Sequence, residues 1–150
     1  MFNHLSVASA FSFKYGTTQP HDLVARAAQF GAPALAITDR DSLAGVIRFV
    51  QAAKDFGIAP IVGVNLALDN SRVTLLAQSG TGTDSGWRSL CRLMSALRPD
   101  RNPPTLHLEK IKTLSEYTSN LILLHGPDSQ IANLITKHRP RSEEHTSELQ

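Results

Sequence analysis

Three short segments of this sequence carry polar residue types from which a binding or catalytic site could be built. They are residues 4–12, which contain a histidine and three serines, residues 38–42, which read Thr-Asp-Arg-Asp-Ser, and residues 63–65, which read Gly-Val-Asn. A carboxylate such as Asp39 is typical of a turn or a helix cap. A guanidinium such as Arg40 either holds a phosphate or a carboxylate or belongs to an ordinary surface or ion-pair arginine, and these interpretations remain open here. The glycines of residues 79–86 match no phosphate-binding motif.

Two similar stretches predict the elements that position these segments. Residues 27–33 are followed by the apolar run 34–37, and residues 52–60 are followed by the run 61–64. Each stretch predicts a helix end with a glycine C-cap, a proline in the turn and a short buried strand. Continuous apolar strands about 25 residues apart are typical of successive βα units in a parallel sheet. The three polar segments should then follow the carboxyl ends of strands, where such folds place functional residues.

Helical periodicity and capping residues predict the surrounding helices. One helix should begin near Pro20, with Thr18 or Gln19 as its N-cap, and a second should cover residues 43–53, with Asp41 or Ser42 as its N-cap. A third apolar stripe covers residues 87–97 and includes Cys91, which we interpret as a core residue and not a reactive thiol. Further strands are predicted at 72–77 and 120–124, and further helices at 106–112 and, capped by Ser129, at 130–137.

Composition excludes several classes of protein. Of 150 residues, 41% are apolar and 19% are charged, so the chain can form a packed core. The formal charge of +2 is too small to indicate a nucleic-acid-binding face, and a single cysteine excludes a disulfide framework. No signal peptide is visible, and the longest apolar run, residues 58–64, is far shorter than the roughly 18 residues that cross a membrane. These features predict a cytoplasmic protein without membrane contact.

The last ten residues, 141–150, differ from the rest because they are polar and aperiodic. One interpretation is a disordered natural tail. The other, which we favour, is an artefact, because the ten residues match the in-frame translation of a widely used short-read sequencing adapter. We therefore expect this segment to be disordered and exclude it from the interpretation of the fold. The domain itself is predicted to occupy residues 1–140.

Several segments, taken in order, resemble the PHP domains of the polymerase-and-histidinol-phosphatase family, and more narrowly those that open the alpha subunits of bacterial DNA polymerase III. The segments that carry the resemblance are 4–5, 10–16, 34–45, 60–63, 73–77, 86–93 and 123–128. The resemblance covers residues 2 to about 140 and implies an α/β fold. Specifically, it implies an incomplete PHP-type (β/α) barrel-like fold with only the N-terminal βα units. An unclosed sheet of this kind is expected to make the isolated chain poorly soluble.

The same resemblance places the family's metal-binding positions in the three polar segments. Metal-competent members are phosphoesterases with a trinuclear site of histidines and carboxylates. Where the family has His-x-His, Asp-His and Glu, this chain has Ser6 and Ala8, then Asp39 and Arg40, then Asn65. Only the carboxylate of Asp39 is kept, either as a relic of the metal site or as a turn residue. We therefore expect neither a metal ligand nor a catalytic residue in this chain, whereas Arg40 could hold a phosphate or a carboxylate in place of metal.

The function implied by the resemblance is that of a DNA-directed DNA polymerase alpha chain in replication or error-prone repair synthesis. Nucleotidyl transfer would use magnesium in a palm domain that this sequence does not contain. The expected role of the chain itself is structural or partner-binding. Its expected partners are the remainder of the polymerase and replisome subunits, with DNA contacted only through the parent protein. The alternatives are a free-standing metal-dependent phosphoesterase of the same family and a small binding module that is complete as it stands.

Overall fold

One mixed sheet with helices packed against it organises the fold. The computed structural model describes residues 2–69, 71–79, 85–97, 104–107 and 120–125. Within these ranges the elements are, in order, α1 (Pro20–Gln29), β1 (Ala34–Ile37), α2 (Val46–Asp55), β2 (Ala59–Leu68), β3 (Ser71–Ala77), α3 (Gly86–Ala96), β4 (Thr105–Leu106) and β5 (Leu121–Leu124). The α/β class predicted from the sequence is confirmed.

The two similar stretches form the same helix end. Gly31 after α1 and Gly57 after α2 both have φ of 68°, the left-handed conformation that glycine adopts without steric cost. In each case the N–H of the glycine donates to a carbonyl of the last helical turn. The N–H of the next residue donates to the carbonyl that precedes it by one residue in the helix, as in Ala32 N to Ala27 O at 3.0 Å and Ile58 N to Ala53 O at 2.9 Å. These are Schellman motifs, and they turn the chain into β1 and β2 as predicted.

Replacing Gly57 by alanine is expected to lower the free energy of unfolding by about 1–2 kcal/mol, the cost of a left-handed backbone with a Cβ atom. Nothing lies within 4 Å of the position that a Cβ would occupy, so the cost is conformational and not steric. Gly57→Asn is the matched variant, because asparagine tolerates this backbone better, and it should lose less than Gly57→Ala in urea unfolding. Equal losses for the two variants would contradict this explanation.

The sheet is parallel at one end and antiparallel at the other. β1 and β2 pair in parallel, from Ala34 with Ala59 to Ile37 with Val62, and β4 pairs in parallel with the end of β2. β3, however, is antiparallel to both β2 and β5. The prediction of successive βα units is therefore correct for β1, α2 and β2 and wrong for β3, which follows β2 through a short turn. The polar residues at positions 69–71 are typical of such a turn, and this signal was missed.

β2 is longer than predicted. It extends to Leu68, so residues 63–65 lie inside the strand and not in a loop after it. Val64, Leu66 and Leu68 are buried, whereas Asn65 and Ala67 on the opposite face are only partly buried. This alternation has the period of two that is typical of a strand with two different faces. One face of the β2–β3 hairpin packs into the core, and the other is available to form a site.

Two hydrophobic clusters stabilise the sheet. The first joins β2, β3 and β4 to Leu90, Leu93 and Met94 of α3, and the second joins β1 to α1 and α2 around Phe49, which is fully buried. Leu43 and Val62 pack against both clusters. The clusters are therefore continuous along the sheet, and they fix the carboxyl end of β1 beside the middle of β2.

The capping predictions are correct for α1 and wrong for α2. Gln19 is the N-cap residue of α1 and a proline occupies its first turn, although the Gln19 side chain makes no capping hydrogen bond. α2 begins only at Val46, with Gly45 as its N-cap, so neither Asp41 nor Ser42 caps it. Asp41 has φ of 54° and its carboxylate instead accepts hydrogen bonds from β2 and β3.

Several predictions fall partly or wholly outside the described residues. Of the helix expected at 106–112, the structure describes only residues 106 and 107, and Leu106 belongs to strand β4. The helix expected at 130–137 and the tail at 141–150 lie outside the described residues. Within the part of the chain that the structure describes, no helix is long and apolar enough to span a membrane.

Candidate functional site

Asp39, which follows β1 after Thr38, is buried under a loop of serines. Its side chain is only 1% exposed. One carboxylate oxygen accepts hydrogen bonds from Ser9 N at 2.6 Å and Ser12 Oγ at 2.7 Å, and the other accepts one from Ser9 Oγ at 2.8 Å. Asp39 is therefore neither a turn residue of the usual kind nor a helix cap. Its carboxylate holds residues 9–12 against the end of β1.

Residues 4–7 run alongside β1 and bring the first polar segment to the same place. The carbonyl of His4 accepts a hydrogen bond from Ala36 N at 3.0 Å, and the carbonyl of Val7 accepts one from Thr38 N at 2.7 Å. The loop then folds back tightly at Gly16, where a Cβ atom would lie 1.9 Å from the Ser9 carbonyl oxygen. Only glycine permits this approach, which places the loop beside the carboxyl end of β1.

A cleft of about 190 Å³ opens where these elements meet, and we call it the Arg40 cleft. Four of the five positions that the sequence resemblance assigned to the family metal site line it: Ser6, Ala8, Arg40 and Asn65. The fifth, Asp39, lies next to Arg40 in the chain, but its oxygens are bonded to the serine loop. Of the remaining lining residues, Thr38 belongs to the polar segment 38–42, whereas Tyr15 and Arg72 lie outside the three polar segments.

Asn65 and Arg72 form a network across the β2–β3 hairpin. Arg72 Nε donates to Asn65 Oδ1 at 2.5 Å, and Arg72 donates through its terminal nitrogen to the Asn65 carbonyl at 2.7 Å and to Asp41 Oδ1 at 2.8 Å. Asn65 Nδ2 donates in turn to Thr74 Oγ1 at 2.9 Å. Both polar atoms of the Asn65 side chain are thus engaged by neighbouring residues, and the charge of Arg72 is matched by Asp41.

Arg40 is positioned differently, since it stacks on an aromatic ring. Its guanidinium carbon lies 3.4 Å from the centre of the Tyr15 ring, and its backbone N–H donates to Ser12 Oγ at 2.9 Å. Among the described residues no carboxylate forms an ion pair with it. Of the interpretations left open by the sequence, only the ion pair is not observed among these residues. Arg40 is therefore a charged residue of the cleft lining that has no ion-pair partner among the described residues.

The histidines of the described residues lie outside this cleft. His4 is exposed and contacts the Phe2 ring, His21 lies 3.4 Å from Asp22, and His107 lies 3.0 Å from Asp69. His125 is exposed at the end of β5, and His138 lies outside the described residues. Within the described ranges, no three histidine, cysteine or acidic side chains are grouped as a metal ion would require.

Cys91 belongs to α3 and not to the cleft. Burial raises the pKa of its thiol above the ordinary value, because the charged thiolate is poorly solvated there. The thiol therefore stays protonated at neutral pH. This agrees with the interpretation of Cys91 as an unreactive thiol, but the residue is only half-buried and belongs to neither hydrophobic cluster, so its interpretation as a core residue is not confirmed.

Comparison with known proteins identifies the family. The model of the PHP domain family matches residues 4–149, so the chain belongs to the PHP domain family. The partial PHP-type fold expected from the resemblance agrees with this membership.

Two relatives that the chain matches in sequence are DNA polymerases. The chain is 43% identical over 103 residues to the error-prone DNA polymerase of Symbiobacterium thermophilum, covering 68% of this chain and 9% of the relative. It is 36% identical over 141 residues to the DNA polymerase III subunit alpha of Buchnera aphidicola, covering 89% of this chain and 12% of the relative. The resemblance to the PHP domains of such polymerases is therefore confirmed, and the chain spans about a tenth of their length.

Among solved structures, the chain is similar to a Bifidobacterium adolescentis protein provisionally described as a metal-dependent phosphoesterase. The sequence identity is 20% and the TM-score is 0.47, over 93% of this chain and 44% of that one.

Proposed function

We propose that this chain is the PHP-domain portion of a DNA polymerase III alpha subunit, of the replicative or the error-prone type. We further propose that its role is structural or partner-binding, and that it is not a metal-dependent phosphoesterase. The polymerase relatives support the first statement. The single observation that carries the second is the cation of Arg40 in the cleft, at a position where the family has a metal ligand.

The donor set around the Arg40 cleft does not fit a metal ion. Divalent ions of this family's kind need open carboxylates and neutral imidazoles. Asp39 is the one carboxylate at the matching positions, and it is buried with both oxygens already accepting hydrogen bonds. Ser6 is a weak neutral donor, Ala8 has none, and Arg40 repels a cation. No metal-activated water can therefore be expected in this cleft.

In this proposal the residues of the cleft maintain a surface and hold no reacting group. Asp39 fixes the serine loop, and the Asn65–Arg72 network fixes the open face of the hairpin. A rigid surface of this kind is suited to packing against a neighbouring domain. We propose the remainder of the polymerase chain and replisome subunits as partners. Magnesium-dependent nucleotidyl transfer and contact with DNA are assigned to the parent protein, outside this chain.

The assay that tests the proposal is hydrolysis of a chromogenic phosphate monoester and of single-stranded DNA, with the chain expressed within its full reading frame. We expect no turnover above the buffer blank when Mn²⁺ or Zn²⁺ is added. A variant lacking the palm-domain carboxylates should be used, so that polymerase-associated chemistry does not contribute. Turnover that disappears on chelation and is kept by this variant would overturn the proposed role. A reading frame that stops soon after residue 140 would overturn the assignment to a polymerase.

A further inference from the structure

We propose that residues 11–15, together with two neighbouring arginines, form a docking surface for an acidic segment of a separate protein subunit. The inference rests on the proposed partner-binding role and deepens it, because it names the surface and the chemistry of the partner. We call this region the aromatic-loop surface, and its residues are Phe11, Phe13, Lys14, Tyr15, Arg40 and Arg48. Two of them, Tyr15 and Arg40, also line the Arg40 cleft.

Each of the three aromatic rings in this loop is paired with a cation. The distances from the cation to the centre of the ring are 5.6 Å for Lys14 and Phe13, 5.6 Å for Arg48 and Phe11, and 3.4 Å for Arg40 and Tyr15. Among the described residues, no carboxylate forms an ion pair with any of these cations. The surface therefore combines aromatic area with cations that are available to carboxylates of a partner.

Phe13 projects into solvent from a loop that is held firmly in place. The residue is 85% exposed, and Lys14 after it has φ of 60°, a left-handed conformation that is unfavourable for a residue with a Cβ atom. At the base of the loop, Ser12 Oγ donates to Asp39 at 2.7 Å, and the Ser12 carbonyl accepts from Tyr15 N at 2.9 Å. An aromatic ring on such an ordered loop loses little conformational entropy on binding, and rings of this kind contribute strongly to interface energies.

The composition of the surface favours a protein segment over a nucleic acid. A single-stranded nucleic acid stacks its bases on ring faces, whereas each ring here already has a cation against it. The formal charge of +2 on the chain does not supply the dense basic face that follows a phosphate backbone. Aromatic residues and arginine are, by contrast, enriched at protein–protein interfaces.

The charges of the surface favour a separate subunit over the remainder of the parent chain. The centre of a permanently buried interface is depleted of charged residues. Charge complementarity mainly raises the rate at which a diffusing partner associates, and this advantage is lost on a segment that is already tethered. The complementary segment should carry aspartates or glutamates on both sides of a large apolar residue that packs against Phe13.

The test is fluorescence anisotropy of the labelled peptide Asp-Asp-Glu-Leu-Phe-Glu-Asp-Asp, titrated with the chain expressed within its full reading frame. We expect saturable binding with a dissociation constant below about 1 mM, and none for the peptide with lysine in place of every acidic residue. Phe13→Ala should raise the dissociation constant at least about tenfold. Phe30→Ala is the matched control. Phe30 is 72% exposed and is paired with Arg26 at 4.6 Å, but it lies at the far end of α1, so the affinity should stay within about twofold.

A charge variant separates the acidic contact from the loss of aromatic area. Arg48→Glu reverses an exposed charge in the first turn of α2, where a glutamate is compatible with the helix dipole, and it should weaken peptide binding at least about tenfold. Lys54→Glu reverses an exposed charge at the other end of α2 and should change the affinity by no more than about threefold, because salt screens the more distant charge. Both variants should keep the circular dichroism spectrum of the unmodified chain.

The source of the partner is tested with Phe13→Cys in the full-length chain. Maleimide labelling of this cysteine, located by mass spectrometry, should be rapid without the peptide and slow with it. Protection before any peptide is added would show that the remainder of the parent chain covers the surface, which would overturn a separate partner.

Three further results would overturn the inference. They are no saturable binding at about 1 mM peptide, equal losses in Phe13→Ala and Phe30→Ala, and displacement of the peptide by oligothymidylate at lower concentrations than by unlabelled peptide. The last result would assign the surface to single-stranded DNA. All of them leave the proposed loss of the metal site intact, because that proposal is decided by the phosphoesterase assay and not by peptide binding.

Discussion

Replacing Asp39 by alanine is expected to lower the free energy of unfolding by about 3–5 kcal/mol, the range for removing one partner from a buried, charged hydrogen-bond cluster. The carboxylate accepts three hydrogen bonds, from the backbone and hydroxyl of Ser9 and from the hydroxyl of Ser12. The substitution leaves these donors without a partner in a buried site. It also releases the loop that lines the Arg40 cleft. Urea unfolding followed by circular dichroism measures the change.

Two further variants separate this cluster from a general effect of charge. Asp55→Ala removes an exposed carboxylate at the end of α2 and should change the free energy by no more than about 0.5 kcal/mol. Asp39→Asn keeps the shape and one acceptor oxygen, so it should fall between Asp39→Ala and the unmodified chain. If Asp39→Ala and Asp55→Ala destabilise the chain equally, Asp39 does not hold the loop in the way the structure indicates.

The second large effect that we expect is a gain of metal binding when the ligand residues of the family are introduced at the matching positions of this chain. The combined substitutions Ser6→His, Ala8→His, Arg40→His and Asn65→Glu should raise the affinity for Zn²⁺ at least about 100-fold over the unmodified chain. All four positions line one cleft, so the new imidazoles and carboxylate would face the same space. Competition with a chromophoric chelator measures the affinity. Binding should weaken as the pH falls below about 6.5, because a histidine ligand must be deprotonated.

The role of Arg40 in excluding metal is tested by a partial variant. Ser6→His with Ala8→His, but with Arg40 kept, should gain little affinity for Zn²⁺ because the guanidinium remains in the cleft. Adding only Arg40→His to these two substitutions should then give most of the gain in Zn²⁺ affinity that is expected for the fourfold variant. If the unmodified chain already binds Zn²⁺ as tightly as the fourfold variant, the metal site was never lost.

Local signals in the sequence predicted local structure well. The glycine ends of α1 and α2, with Gly31 and Gly57, and the proline at the start of α1 are determined by backbone conformations that few other residues adopt. The parallel pairing of β1 and β2 also followed from their continuous apolar runs.

Contacts between residues far apart in sequence could not be predicted in the same way. Ser9 and Ser12 reach Asp39 across 30 and 27 residues, and Asp41 meets Arg72 across 31. Arg72 meets Asn65 only because β3 turns back along β2, and the register of a hairpin depends on a turn that was not recognised. The resemblance to the family indicated which positions to compare. It gave no indication of the residues that had taken up new contacts there.

The buried contacts of Asp39 also bear on how such a site changes during evolution. Ser6, Ala8 and Arg40 face the open cleft, so substitutions there are constrained mainly by what the cleft binds. Asp39 is needed by the loop whether or not a ligand is present. If selection acts only on folding, we therefore expect positions 6, 8 and 40 to vary among close relatives that lack metal chemistry. The aspartate at position 39 should be kept in the same relatives. If the proposed loss of the metal site is correct, the aspartate at 39 is by itself weak evidence for metal chemistry in this chain, because the loop requires it in either case.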